Sequence, residues 1–96
     1  MVLQSPMKVQ VLVSALDKDI ITLPSQMNIE TDAVIVNQCD RYDYYELEKI
    51  RCFCMKERGV GLSRNTALLH ADADICLFSD EDIVLTKGYA ELIKTA

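Results

Sequence analysis

Ala73-Asp74-Ile75-Cys76-Leu77-Phe78-Ser79-Asp80-Glu81-Asp82 is an apolar run that ends abruptly in three acids. Ile75 to Phe78 is short, rich in strand-favouring side chains and free of polar alternation, which predicts a strand buried on both faces. Val9 to Leu16 and Ala33 to Asn37 repeat that character, and segments with helical potential lie between such runs. Strands alternating with helices predict an α/β domain with a mostly parallel, Rossmann-like sheet of about four strands and flanking helices. In such sheets a ligand sits outside the carboxyl ends of the strands. Asp80 and Asp82 would then stand where a ligand is held.

In an extended segment, residues two apart point to the same side. Asp80 and Asp82 are therefore expected to converge, with Glu81 turned away. Adjacent carboxylates repel unless a cation intervenes. Mg²⁺ or Mn²⁺ is the cation that oxygen ligands suit, with water and substrate phosphate completing the shell. The plainer alternative is a solvated acidic turn capping the next helix.

The chain has 96 residues and a net charge of −5, and half of it is hydrophobic. One small domain spanning residues 1–96 is the expectation. The acidic balance argues against a nucleic-acid partner, which a basic patch would announce. No apolar run approaches the roughly 20 residues of a membrane span. Met1 to Lys8 has no signal-peptide core, so a cytoplasmic location is expected. Cys39, Cys52, Cys54 and Cys76 show no C-x-x-C spacing, and buried free thiols are the better account of them than a zinc site.

Along the chain, Asp17 reads as a turn or cap residue. Asp19 to Leu23 reads as one or two helical turns, with Pro24 opening a further one. Arg41 to Glu48, three tyrosines among charges, reads as a loop or a short exposed helix. Lys49 to Met55 alternates, with Ile50, Cys52 and Cys54 on one face of a third strand. Ser63 is the expected N-cap of a helix from Arg64 to about His70, and Thr86 that of a last helix from Lys87 to Thr95.

Gly61-Leu62-Ser63-Arg64-Asn65-Thr66-Ala67-Leu68, followed by Ala73 to Asp82, resembles the core of the family 2 glycosyltransferases. In that family a G-L-S-x-A-R-N-x-A helix start leads through A-x-G-x-Y-I-x-F-L-D-D-D to the D-x-D motif. The likeness spans nearly all of the chain and keeps its order and spacing. It implies the nucleotide-sugar-binding half of a GT-A fold, which takes a nucleoside diphosphate sugar with Mn²⁺ or Mg²⁺. Asp80 and Asp82 match the D-x-D positions. Asp82 would be the metal ligand, and Asp80 would contact the donor ribose or the metal's water shell. Arg64 matches the family's arginine, near nucleotide phosphate or, in the plainer reading, in a surface ion pair. Ala15, Asn37 and Gln38 lie where the family holds its nucleobase.

The sequence also departs from the family. Asn37-Gln38-Cys39 replaces acid-acid-glycine, so amides would meet the base. Pro24 breaks the family's first helix. The family's acceptor half and general base lie beyond the D-x-D, and this chain stops one helix later. The resemblance therefore implies donor binding without turnover, with no catalytic residue assigned. His70, the only histidine, is expected to cap its helix. A sheet lacking that half would expose an edge and an apolar face, so a homo-oligomer or a missing C-terminal half is the expected partner. A non-enzymatic α/β binding or regulatory module is the alternative, but it would need acids after the first strand. A metal-dependent phosphohydrolase fragment would need further ligands.

Overall fold

The computed structural model describes residues 7–95, apart from the side chain of Val60. Residues 1–6, on which most of the N-terminal reading rests, lie outside the described residues. Val9–Leu16 forms β1, Asp32–Gln38 β2, Asp43–Leu47 β3, Ile50–Met55 β4 and Ile75–Asp80 β5. They make one mixed sheet of order β3-β4-β2-β1-β5. β1, β2, β4 and β5 run parallel, and β3 pairs antiparallel outside β4. The protein is α/β, with one strand more than the sequence suggested.

The additional strand is β3, in the segment expected to be a loop or exposed helix. Tyr44 and Tyr45 favour a pleated surface. Tyr44 lies opposite Phe53 and Tyr45 opposite Cys52, and the Tyr44 and Phe53 rings meet at 4.8 Å. Glu48, with φ of 54°, turns the chain straight back into β4.

Helices cover both faces. On one, Val11, Val13, Ala15, Ala33, Ile35, Cys52 and Cys54 pack under Leu23 and Met27 of α1 (Leu23–Met27) and Tyr89 of α3 (Tyr89–Thr95). On the other, Leu12, Val34 and Val36 pack under Ala67 of α2 (Val60–Leu69). Cys52 and Cys54 share their face as expected, with Phe53 and Met55 opposite. Pro24 sits in the first turn of α1, where its missing N–H costs nothing. Asn28, left-handed at φ 58°, ends that helix after five residues.

Two boundaries differ from the sequence reading. α2 starts at Val60, not Arg64, because Gly59 adopts a φ of 135° and its carbonyl accepts from Ser63 N at 3.1 Å. Ser63 is consequently not a cap. It is fully buried, with its hydroxyl bonded to that of Ser14. Ser63 and Ala67, four apart, let α2 lie close on β1 and β2. The last helix begins at Tyr89, after a turn in which Tyr89 N donates to Thr86 O at 3.0 Å and Gly88 has a φ of 77°.

β5 is not buried on both faces. Among the described residues it pairs only with β1, which places it at the sheet edge. Ile75, Cys76 and Leu77 are half-buried and Phe78 is 45% exposed. Among the described residues no helix is long and apolar enough to cross a membrane.

Candidate functional site

β1 ends at Leu16, and Asp17 turns the chain through a φ of 50° while its N–H donates to Gln38 O at 2.9 Å. The Arg58 guanidinium sits 3.6 Å from the Asp17 carboxylate. Lys18 follows, and Asn37 of β2 holds both of its backbone groups. Lys18 N donates to Asn37 Oδ1 at 3.0 Å, and Asn37 Nδ2 donates to Lys18 O at 2.9 Å. The start of the first crossover is thus fixed to the end of its neighbouring strand.

On the other side of β1, Asp80 closes β5 opposite Ser14. Ile83 N donates to Asp80 O at 3.2 Å, so residues 80–83 form a turn. The expectation that Glu81 turns away from an extended strand fails for that reason. Its Oε2 accepts from Leu16 N at 3.0 Å, and its side chain lines the same groove as its neighbours. The same-side argument for Asp80 and Asp82 lapses with it, yet both still reach one groove.

That groove has a volume of about 500 Å³ and lies at the carboxyl ends of the parallel strands. Ala15, Gln38, Arg64, Asp80 and Asp82 all line it, although they come from four separate stretches of sequence. Arg64 Nη2 stands 3.7 Å from Asp80 Oδ1, both side chains being about half exposed. The plainer reading of Arg64 as a surface ion pair is therefore realised, and it is realised inside the groove. Gln38 is 6% exposed and its Nε2 donates to Gly59 O at 2.8 Å, which ties β2 to the start of α2.

Asn37 is the exception. Its amide is occupied by Lys18 and it does not line the groove; it borders a smaller cavity of about 180 Å³ on the far side of Lys18, with Ile20, Ile21 and Tyr45. Sequence reasoning missed Lys18 itself, which lines both cavities. Among the described residues no ion pair involves Lys18, whereas Arg64 is partnered by Asp80. The groove thus carries two cations and the three carboxylates of Asp80, Glu81 and Asp82.

Among the described residues no group of three or more His, Cys, Asp or Glu side chains is arranged to hold a metal ion. A divalent ion at Asp80 and Asp82 would need its remaining oxygens from substrate and water, which is the way Mg²⁺ is ordinarily bound. The donor set suits it: carboxylates only, with no sulfur or imidazole on the groove. His70 stands at the C-terminal cap of α2, stacked on Phe53 at 4.1 Å, and its carbonyl accepts from the Arg51 guanidinium. The four cysteines are free; Cys39, Cys52 and Cys54 are buried and Cys76 half-buried. Burial, with the Cys54 thiol as a lesser influence, pushes the Cys52 thiol up to about 11.

Compared with known proteins, the chain matches no family model, no curated protein and no solved structure.

Proposed function

We propose that the protein binds a nucleoside diphosphate sugar in the groove at the ends of β1, β2 and β5, in the manner of the donor half of a family 2 glycosyltransferase. The observation that carries this reading is the meeting of Ala15, Gln38, Arg64, Asp80 and Asp82 on one groove. On this reading the sheet is a Rossmann-like nucleotide-binding one, extended at one edge by β3. Asp82 and Asp80 share a Mn²⁺ or Mg²⁺ ion, whose chemistry is to neutralise diphosphate charge. Lys18 and Arg64 meet the phosphate oxygens directly. Arg64, 3.7 Å from Asp80, would exchange part of that contact for phosphate once a nucleotide is bound. The cavity beyond Lys18 receives the base between Ile20, Ile21 and Tyr45. Asn37 contributes there by fixing the Lys18 backbone rather than by reading the base.

The role is binding rather than turnover. Inverting transfer needs a base within hydrogen-bond reach of an acceptor hydroxyl. The carboxylates of the groove are assigned to the metal and to Leu16 N, and His70 does not line it.

Thermal denaturation with UDP, GDP or CMP, each with and without Mn²⁺, tests the reading. At a hundred times its dissociation constant the right nucleotide adds about 2.7 kcal/mol of stability. That gain should require Mn²⁺ and disappear in Asp82→Asn. A chain that no nucleotide stabilises would overturn the assignment.

A further inference from the structure

The N–H of Leu16 is a strand donor whose neighbouring strand has ended. One residue on, Asp17 N turns to β2, where Gln38 O accepts it at 2.9 Å. Successive N–H groups of a strand point to opposite sides, so that of Leu16 points to the β5 side. The register that sets Ser14 opposite Asp80 would bring it the carbonyl of residue 81. β5 stops at Asp80, however, and the turn closed by Ile83 N on Asp80 O carries that carbonyl away. The Glu81 side chain supplies an oxygen in its place, with Oε2 accepting from Leu16 N at 3.0 Å.

The donor is fixed and its acceptor is not. Asp17 N on Gln38 O, and the two bonds between Lys18 and Asn37, hold the backbone that follows Leu16. The Glu81 bond lies in an exposed position, and rotation of one side chain breaks it. Leu16 and Glu81 both line the groove that also holds Lys18, Arg64, Asp80 and Asp82. An anion entering between the two cations therefore meets a like charge seated on a backbone donor.

We propose that Glu81 is a built-in competitor for the nucleotide, occupying the Leu16 N–H until an oxygen of the bound nucleotide displaces it. The inference rests on the nucleotide reading and adds regulation to that site. Leu16 N–H becomes a direct contact to the nucleotide, and Glu81 sets the affinity without ligating the metal, which stays with Asp80 and Asp82. A charge-assisted bond holds the competitor in place. Seated in roughly nine molecules of ten, it weakens the apparent affinity about tenfold.

Calorimetric titration of UDP, GDP and CMP, each with Mg²⁺, into the wild-type chain, Glu81→Gln and Glu81→Ala tests the proposal. Glu81→Ala should bind the recognised nucleotide about tenfold more tightly than the wild type. Glu81→Gln keeps an acceptor and loses the charge, so it should fall between them. The amide proton resonance of Leu16 should move upfield in Glu81→Ala and return downfield when that nucleotide and Mg²⁺ are added. The far-ultraviolet spectrum checks the fold of both variants. If the wild type binds a nucleotide but Glu81→Ala binds it equally or more weakly, or the Leu16 resonance ignores it, the competitor is overturned and the nucleotide reading stands. If none of the three nucleotides binds any of the chains, the nucleotide reading falls and the competitor falls with it.

Discussion

Asn37 and Lys18 are joined twice, side chain to main chain, by bonds of 3.0 and 2.9 Å across nineteen residues of sequence. This is the contact that turns the end of a strand into the rim of a groove. Asn37 is only 4% exposed, so its amide has little water to fall back on. Asn37→Ala is expected to cost about 1–3 kcal/mol in urea denaturation, the range for buried polar groups losing their partners. Nucleotide affinity should fall further than stability alone explains, because Lys18 loses its fixed position.

Tyr89 gives a comparable test at the opposite end of the sheet, just before β2 begins. Its hydroxyl accepts from Glu30 N at 2.9 Å and from Thr31 N at 3.1 Å, and shares a 2.7 Å bond with the Thr31 hydroxyl. The ring is 4% exposed. Tyr89→Phe keeps the ring and orphans two backbone donors, for an expected loss of about 1–3 kcal/mol. Each kcal/mol lowers Tm by about 4–8 °C in a domain of this size. The groove lies elsewhere, so nucleotide affinity should hold in the folded variant.

The close seat of α2 on β1 depends on small side chains. Ala67 is 1% exposed and packs with Leu12, Val34 and Val36. Ala67→Leu overfills that space and is expected to cost about 1–3 kcal/mol by calorimetry. It should also weaken metal-nucleotide binding, because lifting α2 carries Arg64 away from Asp80.

Acid sensitivity should be concentrated near the start of β1. The Lys8 ammonium, 3.1 Å from Asp72, holds that carboxyl below the usual range, with Arg51 adding to the effect. A lowered carboxyl favours the fold while ionised. Its contribution is complete above the unfolded value of about 3.9 and is lost as the pH falls through the lower folded value. Urea midpoints should therefore drop on acidification below about pH 4, and Asp72→Asn should flatten that drop. Asp43 and Glu57, held low by the hydroxyls of Tyr45 and Tyr42, add to the same slope.

Much of this fold was legible in the residues, and the misreadings share a cause. β1 and β2 were plain because runs of valine and isoleucine suit strands buried on both faces. The apolar run at Ile75 looked the same, yet an apolar run does not say how many neighbours a strand has, and among the described residues β5 has one. β3 was missed because Asp43, Tyr44, Tyr45 and Glu46 show no apolar period. What makes that segment a strand is the pairing of Tyr44 with Phe53 and Tyr45 with Cys52, which is nonlocal. Ser63 carries the chemistry of a cap, but Gly59 four residues earlier had already turned the chain into the helix.

The candidate groove followed the same division. Asp80, Asp82 and Arg64 were visible as a motif, and the parallel sheet brings them together. Glu81 was misplaced because an extended geometry was carried two residues past the end of β5, into a turn. Lys18 left no local signal, because its position is decided by an amide on a different strand.

The central claim is that Asp80 and Asp82 hold a divalent ion whose other ligands come from a nucleoside diphosphate. Electron paramagnetic resonance of Mn²⁺ addresses it directly. With protein and the stabilising nucleoside diphosphate together, the free Mn²⁺ signal should fall below its level with nucleotide alone, and Asp80→Asn or Asp82→Asn should restore it. An unchanged signal in the presence of the wild-type chain, or an equal loss with both variants, would contradict the account.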